Sequence, residues 1–540
     1  MASWKQLLDN YKPNSRKGDQ FPPFGDTNAI LNSLRMEDKL ELLKSLLGDN
    51  DDFILRKFRI FGQVEACLVF MAPVADQNLI HEGILKQLMH TQGQPGLSEA
   101  PSPELPDILL KDYLLVSEGH KEAEMEKLIR GIMLGSTALL TDGVRDNLLL
   151  QTRKVEQRSI EQPQTEQVIK GSREGYIESL ESNLSLLRAR LQTRNLKVKI
   201  CPVGARTQSR VAVCYIEGIV NPDLVEEALR RLSKINTDAI LDAGYIEQFI
   251  EDHPFSPFPQ IQNTERPDKT AAALLEGRIA IMVDNSPIVL IIPTMFSQFY
   301  QTMDDYTERF MMGSLLRIVR LLALIFSLVT PALYVAIISF NPELLPTDFA
   351  VAVAGGRAGV PFPAMIEVLI IEISMEILRE ATIRLPQMIG GALSIVGVLI
   401  VGQAAVSAGF CSPITVVVVA LTTIGSFATP AYNAAIALRM LRFPLIFLSG
   451  LFGLFGLMIG LIFIVNHLLT LESFGIPYLS PVVPGSWSGM KDTLIRGPLW
   501  WLTKRPSHLY PMNQQRLSRQ DEESSKDSAF KGPSRKEEPT

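Results

Sequence analysis

The stretch that decides the architecture covers residues 361–384 and reads PFPAMIEVLIIEISMEILREATIR. It lies in the most apolar part of the chain, because residues 321–340 before it and 385–438 after it contain no charged side chain. A carboxylate at the centre of a bilayer costs about 2.5–3.5 kcal/mol on insertion scales, so such a group usually faces protein or water. The stretch therefore indicates a functional helix. Its charged residues are Glu367, Glu372, Glu376, Arg379, Glu380 and Arg384.

The charged side chains of this stretch cluster when it is drawn as a helix of about 3.6 residues per turn. Five of them share one broad face, namely Glu372, Glu376, Arg379, Glu380 and Arg384. Glu367 falls outside that face. The spacings from Glu376 to Arg379 and from Glu380 to Arg384 allow ion pairs along the helix.

Three interpretations of the charged helix stay open. It can be an amphipathic helix that lies at the membrane interface with its carboxylates in water. It can also pack inside an assembly with the charged face toward an aqueous path, where such charges are usually functional. A metal site is the weakest interpretation, because no histidine accompanies the carboxylates.

Other stretches are apolar enough to cross a bilayer, which takes about 20 residues per helix. They are residues 321–340, 387–408, 413–432 and 443–471. There are five crossings if the charged helix also spans and four if it does not. The pair Arg439 and Arg442 favours five crossings, whereas the basic C-terminal tail favours four. Basic residues before the first span indicate that the N-terminal half is cytoplasmic.

The last apolar stretch carries a seam of small residues. These are Gly450, Gly453, Gly456 and Gly460. Small side chains let helix backbones approach closely, either within one chain or between subunits. The seam is therefore a candidate helix-packing site, and both kinds of contact stay open.

The residues before about 305 mix charged and apolar side chains as soluble domains do. Predicted strands alternate with predicted helices, which indicates α/β layering. Short strands are predicted at 113–116 and 239–241. A basic cluster begins near the end of the helix predicted at 177–193 and continues past it. We interpret it as a solvated face, with contact to anionic lipid as the alternative. Its members are Arg188, Arg190, Arg194, Lys197 and Lys199.

We predict a multi-domain chain in which two α/β soluble N-terminal domains precede an α-helical multi-pass membrane domain of four to five spans. The predicted parts are a flexible leader over 1–28, soluble domains over 29–161 and 162–305, a membrane domain over 306–478 and a polar C-terminal tail over 479–540.

The sequence lacks the motifs of common catalytic and cofactor sites. It has no Walker-type loop, nucleophile elbow, zinc-protease motif or dinucleotide fingerprint, and its four cysteines form no CxxC pair. We therefore expect no enzymatic activity, cofactor or metal. The net charge of −6 gives no indication of nucleic-acid binding.

Several stretches resemble one known family. RSIEQP at 158–163, EQVIKG at 166–171 and SREGYIE at 172–178 resemble the pattern RxIxEPxxExVIRGPREGFxE of the A subunit of GerA-type spore germination receptors, with Ser172 in place of proline. Further matches are Arg266 to Asp268 with AAALLEGR at 271–278, PTMFSQFYQTMDDYTER at 293–309, residues 361–381, and LPQMIGG at 385–391. The resemblance covers most of the chain.

The resemblance implies a multi-pass protein of the spore inner membrane. It implies a transporter-like B subunit and a lipoprotein C subunit as partners, and oligomerisation of the A subunit. It also implies sensing of a small nutrient, release of monovalent ions and a nutrient-gated ion path.

The charged face and the resemblance lead to one hypothesis. Glu372, Glu376 and Glu380 border an aqueous cation route or couple the soluble half to it, with Arg379 and Arg384 on the same face. One alternative is a secondary transporter with proton-coupling carboxylates, although no inverted repeat is visible. The other is a non-conducting membrane signalling scaffold.

Overall fold

The computed structural model describes residues 31, 33–90, 103–154, 162–163, 166–383, 402–485 and 487–516. The predicted leader over 1–28, Arg384 and most of the predicted span over 387–408 lie outside the described residues.

The first soluble domain is a five-stranded sheet with helices on both faces. Its strands are β1 Phe53–Ile60, β2 Val64–Met71, β3 Gly119–Glu122, β4 Thr137–Thr141 and β5 Asn147–Leu150. Two of its helices are single segments, α1 Met36–Leu47 and α4 Met125–Met133. Helix α2 consists of the consecutive segments Gln77–Leu79, Ile80–Leu85 and Lys86–His90, and α3 consists of Leu105–Ile108 and Leu109–Tyr113. The strands lie in the order β1-β2-β4-β5-β3, and every pairing is antiparallel.

The second soluble domain repeats this plan. Its strands are β6 Leu196–Val203, β7 Ser209–Ile216, β8 Gln262–Thr264, β9 Ile279–Val283 and β10 Val289–Ile292. The helices are α5 Leu180–Arg190, α6 Pro222–Ser233, α7 Ala243–Ile250 and α8 Pro267–Glu276. The order β6-β7-β9-β10-β8 is again fully antiparallel. The two domains share element order and strand order, so the soluble half is a structural duplication.

Two predicted strands are wrong, and a different short segment forms an edge strand in each sheet. Residues 114–116 are irregular after α3, and β3 forms one edge of the first sheet, opposite β1. Residues 239–241 also form no strand, and β8 takes the equivalent edge of the second sheet. β3 has four residues and β8 has three, so their composition gives a weak signal.

The two soluble domains are joined by a buried ion pair. Both Nε and Nη2 of Arg188 on α5 lie 2.6 Å from the carboxylate of Asp52, which precedes β1. The backbone N–H of Asp51 donates to the carbonyl of Val198 at 3.0 Å. The solvated-face interpretation of the basic cluster is therefore wrong for Arg188 and for Lys197, because both side chains are buried.

The helical domain follows the second sheet. Its helices are α9 Phe310–Phe340, α10 Thr347–Arg357, α11 Ala364–Ile383, α12 Pro413–Phe427 and α13 Tyr432–Thr470. Among the described residues, α9 and α13 are long and apolar enough to cross a membrane, and α12 is a shorter apolar helix. Ser412 caps α12 by accepting the N–H of Thr415 at 3.2 Å, and Pro413 occupies its first turn.

Helix α13 is two arms joined by a sharp bend at Gly453. The backbone there has φ 61° and ψ −142°, which is left-handed and favours glycine. A Cβ added at Gly456 would clash with the carbonyl oxygen of Leu448. In a straight helix those two residues are about 12 Å apart along the axis. The arm over 454–470 therefore folds back on the arm over 432–452.

The residues after α13 return to the second soluble domain. We call residues 471–516 the C-terminal segment. Ser473 accepts the N–H of Thr294 at 3.0 Å, and the N–H of Met512 donates to the carbonyl of Ile219 at 2.9 Å. The chain therefore leaves the helical domain at the end where α9 begins, which we call the entry end. The opposite end, around Phe340 and Gly453, is the far end.

Candidate functional site: ion pairs inside the helical domain

Helix α11 lies between two helices in a fixed register. It runs antiparallel to the first arm of α13, with Met365 against Gly450 and Glu372 against Arg442. It runs in the same direction as α12, because Glu367 accepts the N–H of Ser412 at the far end and Arg379 approaches Ser426 toward the entry end. The carboxylates of α11 consequently follow one line through the helical domain.

Glu372 and Arg442 form the most buried pair of this line. Their side chains lie 2.7 Å apart and each is 2% exposed. Glu372 Oε1 and two further nitrogens of Arg442 are buried without a hydrogen-bond partner among the described residues. Removing one member of such a pair leaves an uncompensated charge, which typically costs about 3–5 kcal/mol.

Glu376 lies one turn nearer the entry end and contacts two arginines. Its carboxylate is 2.7 Å from Arg379 on the same helix and 3.3 Å from Arg439 on α13. The guanidinium of Arg379 also lies over the ring of Phe427, 5.1 Å from its centroid. The pairing of Glu376 with Arg379 was predicted by spacing, whereas the contact with Arg439 was not.

Glu367 is also paired, although it lies off the charged face. It is fully buried, accepts the backbone N–H of Ser412 and lies 3.4 Å from Arg357 at the end of α10. The line of Glu367, Glu372 and Glu376 with the four arginines that contact them is called the ion-pair column below. Its arginines are Arg357, Arg379, Arg439 and Arg442.

The remaining charged candidates are Glu380, in the last turn of α11, and Arg384, which lies outside the described residues. Glu380 is exposed on the surface of the isolated chain. Its predicted pairing with Arg384 falls outside the described residues. Of the candidate set on this helix, the structure therefore brings Glu372, Glu376 and Arg379 together.

The sequence prediction missed the arginines outside α11. Arg439 and Arg442 lie inside α13, before the apolar stretch predicted to span at 443–471. Arg357 is the last residue of α10. The sequence did contain a signal, because the carboxylates of α11 outnumber the arginines on the same helix. Each carboxylate in an apolar region needs a counter-charge, so further cations had to come from other helices.

The glycine seam lies against side chains and backbone of this same chain. Added Cβ atoms would clash with Met365 at Gly450, with Phe340 at Gly453 and with Leu445 at Gly460. Together with the contact of Gly456 described above, these approaches close the bend of α13 and seat its first arm on α11.

A second charged cluster holds the entry end together. Asp305, fully buried, lies 3.1 Å from Arg317 Nε and 2.7 Å from Arg320, both in the first turns of α9. Arg317 also lies 3.1 Å from Asp492 of the C-terminal segment. Among the described residues no group of three or more His, Cys, Asp or Glu side chains could hold a metal ion.

The sequence as a whole matches one family. The profile of the Bacillus/Clostridium GerA spore germination protein covers residues 41–508. The uncharacterized membrane protein YfkQ of Bacillus subtilis (strain 168) is 42% identical over 91% of this chain and 94% of its own. Spore germination protein KA of the same organism is 42% identical over 86% and 84% of the two chains.

One further relative and one solved structure are similar to this chain. Spore germination protein GerLA of Bacillus cereus is 38% identical over 88% of this chain and 96% of its own. The crystal structure of the N-terminal domain of the A subunit of the Bacillus megaterium spore germinant receptor GerK3 is 31% identical. It covers 49% of this chain and 96% of that domain, with a TM-score of 0.38.

Proposed function

The chain belongs to the GerA family of spore germination proteins, and from this premise we propose that it is the A subunit of a germinant receptor in the spore inner membrane. The proposed receptor senses a small nutrient and starts germination without enzymatic chemistry. Its proposed partners are a transporter-like B subunit and a lipoprotein C subunit.

The proposed topology is multi-pass with an even number of crossings. Helix α9 starts at the second soluble domain, and the C-terminal segment contacts the same domain through Ser473 and Asp492. Because a membrane cannot lie between two segments in direct contact, both stand on one side of it. This disfavours the predicted five crossings. Because α11 runs from the far end to the entry end and α13 folds back into two arms, the count also departs from the predicted four. Arg309 precedes α9, and Arg317 and Arg320 lie in its first turns; these basic residues favour the cytoplasmic side.

The proposed mechanism places an ion path beside α11 in an oligomer of A subunits. The observation that carries it is the exposure of carboxylates on an otherwise apolar domain. The side chain of Glu376 is 32% exposed and Glu380 is exposed on the isolated chain. A carboxylate that faced lipid at mid-depth would cost about 2.5–3.5 kcal/mol, so this surface is better suited to water or a neighbouring subunit.

The experiment measures potassium release and nutrient response in spores that carry Glu372→Gln, Glu376→Gln or Glu380→Gln. Glu343→Gln is the matched control, because Glu343 lies outside α11, in the exposed turn after α9. We expect reduced ion release with normal receptor abundance for Glu376→Gln and Glu380→Gln. Wild-type release in all three variants would refute the ion path.

One observation favours a second candidate, the non-conducting scaffold. Glu372 is neutralised within the chain by Arg442, so this buried carboxylate needs no passing cation. Conductance measured for the purified oligomer in a planar lipid bilayer separates the two proposals. A conductance that decreases in Glu376→Gln supports the ion path. No conductance from an intact oligomer supports the scaffold.

A further inference from the structure

A cavity lies between the second soluble domain and the C-terminal segment, away from the ion-pair column. Its volume is about 490 Å³, and helix α8, residues 295–306 and the C-terminal segment form its walls. Small-molecule sites in proteins usually measure about 300–1,000 Å³ and combine apolar walls with a few polar groups. Ala272, Leu275, Met295 and Leu502 supply apolar wall here.

His508 is a polar group of this wall that lacks partners. Both of its ring nitrogens are buried, and neither has a hydrogen-bond partner among the described residues. Burial, reinforced by the neighbouring guanidinium of Arg278, lowers the pKa of His508 to about 4. A neutral imidazole offers one donor and one acceptor. A buried donor or acceptor without a partner is unfavourable, and a bound molecule that forms a hydrogen bond with it removes this cost.

The wall also carries an excess of positive charge. Arg516 lies 2.8 Å from Glu276, Lys269 is paired with Glu166, and Asp492 is paired with Arg317. These pairs neutralise most of the charged wall. Lys504 and Arg505 line the same cavity, and neither has a carboxylate partner among the described residues. Arg505 directs its N–H groups to backbone carbonyls, including that of Leu275 at 2.7 Å.

We propose that this cavity binds a small organic anion, with Lys504 and Arg505 attracting its carboxylate or phosphate group and His508 donating a hydrogen bond to it. The apolar wall takes the body of the molecule. The site is independent of the proposed ion path, since it uses no residue of the helical domain.

The position of the cavity gives the bound anion a means of acting on α9. Tyr306 lines the cavity and donates a hydrogen bond to Asp492 at 2.9 Å. Asp492 in turn contacts Arg317 in the first turns of α9. An anion that joins α8 to the C-terminal segment therefore stabilises the arrangement in which this segment holds the entry end of α9.

Calorimetric titration of the full chain in phosphatidylcholine nanodiscs tests the proposal. Benzoate and inorganic phosphate are the probes, because they present the two anionic groups with and without an apolar body. We expect saturable binding of benzoate at one site per chain. Lys504→Gln should weaken it roughly fivefold, as for loss of one exposed charge contact. His508→Phe should weaken it about tenfold or more, as for a hydrogen bond to a charged group.

Lys491→Gln is the matched control, because Lys491 is exposed on the same segment and does not line the cavity. It should change benzoate affinity less than twofold. Lys504 is also exposed, so its variant remains informative if His508→Phe folds poorly. No saturable binding of either probe would overturn the proposal, as would equal effects of Lys504→Gln and Lys491→Gln.

A second titration in nanodiscs that contain phosphatidylglycerol distinguishes a free anion from a lipid headgroup. Unchanged benzoate binding supports a soluble organic anion as the ligand. If phosphatidylglycerol weakens benzoate binding to the unsubstituted chain but not to Lys504→Gln, the same site binds a lipid phosphate. If phosphatidylglycerol still weakens benzoate binding in Lys504→Gln, the lipid headgroup does not bind in this cavity.

Discussion

Glu372 and Arg442 approach to 2.7 Å in the apolar helical domain, although 70 residues separate them in the chain. Each side chain is 2% exposed, so each provides the counter-charge that makes burial of the other tolerable. This contact joins α11 to the first arm of α13, and it fixes the register in which Glu376 meets Arg439.

Glu372→Gln should destabilise the helical domain by about 3–5 kcal/mol, because it leaves the buried charge of Arg442 unpaired. Thermal unfolding in detergent measures the change. The charge exchange Glu372→Arg with Arg442→Glu should recover part of the loss, whereas Glu343→Gln should have little effect. If the stability loss of the double variant equals the sum of the losses of the two single variants, the two residues do not act as a pair.

Gly453→Ala should destabilise the bend of α13. The left-handed backbone at this residue disfavours a side chain, and an added Cβ would lie 2.9 Å from Phe340. A strained backbone of this kind costs about 1–3 kcal/mol. Gly355→Ala is the control, because no atom within 4 Å would meet its added Cβ. The melting temperature and purification yield of both variants are the measurements, and equal behaviour would argue against a bend at Gly453.

Arg188→Ala should loosen the two soluble domains from each other. It removes a bidentate partner of Asp52 and leaves a buried carboxylate, which costs about 3–5 kcal/mol. Urea unfolding and limited proteolysis between the domains should both detect the change. Arg230→Ala removes an exposed pair with Glu227 on α6 and should leave both measurements unchanged. Similar effects of the two variants would contradict a specific role for Arg188.

The C-terminal segment should detach as the pH falls. The folded protein lowers the pKa of His508 from 6.5 to about 4, so the imidazole stays neutral while the unfolded segment takes up a proton. The stability of the docked segment is therefore complete above pH 6.5 and decreases between pH 6.5 and pH 4. Hydrogen exchange at residues 505–512 measures this transition.

His508→Gln removes the titrating group and should flatten that part of the pH profile. Glu276, which also lies near His508, raises its pKa and opposes the effect of burial. A transition of unchanged size in His508→Gln would assign the pH dependence to other groups.

The division between soluble and helical halves could be predicted from the sequence, because hydropathy and charge change sharply near residue 310. The family could be predicted as well, since its motifs are local in the chain. The duplication of the soluble half could not. Its two sheets share strand order but not residue pattern, and one edge strand of each sheet, β3 or β8, is short and weakly marked.

The candidate site could be predicted only in part. The carboxylates of α11 stand out in an apolar region, and the spacing of Glu376 and Arg379 shows their pairing. The contacts to Arg357, Arg439 and Arg442 join residues that are distant in sequence. Helical periodicity specifies which residues share a face of one helix, but it does not specify the register between two helices.

The sequence by itself determined that carboxylates lie within an apolar helical domain, because each residue type carries its own transfer free energy. Only the tertiary structure decided which cations neutralise them. The fold-back at Gly453 and the antiparallel packing of α11 on α13 bring Arg442 and Arg439 to Glu372 and Glu376. The return of the C-terminal segment to the second soluble domain was decided in the same way, by contacts between distant residues such as Asp492 and Arg317.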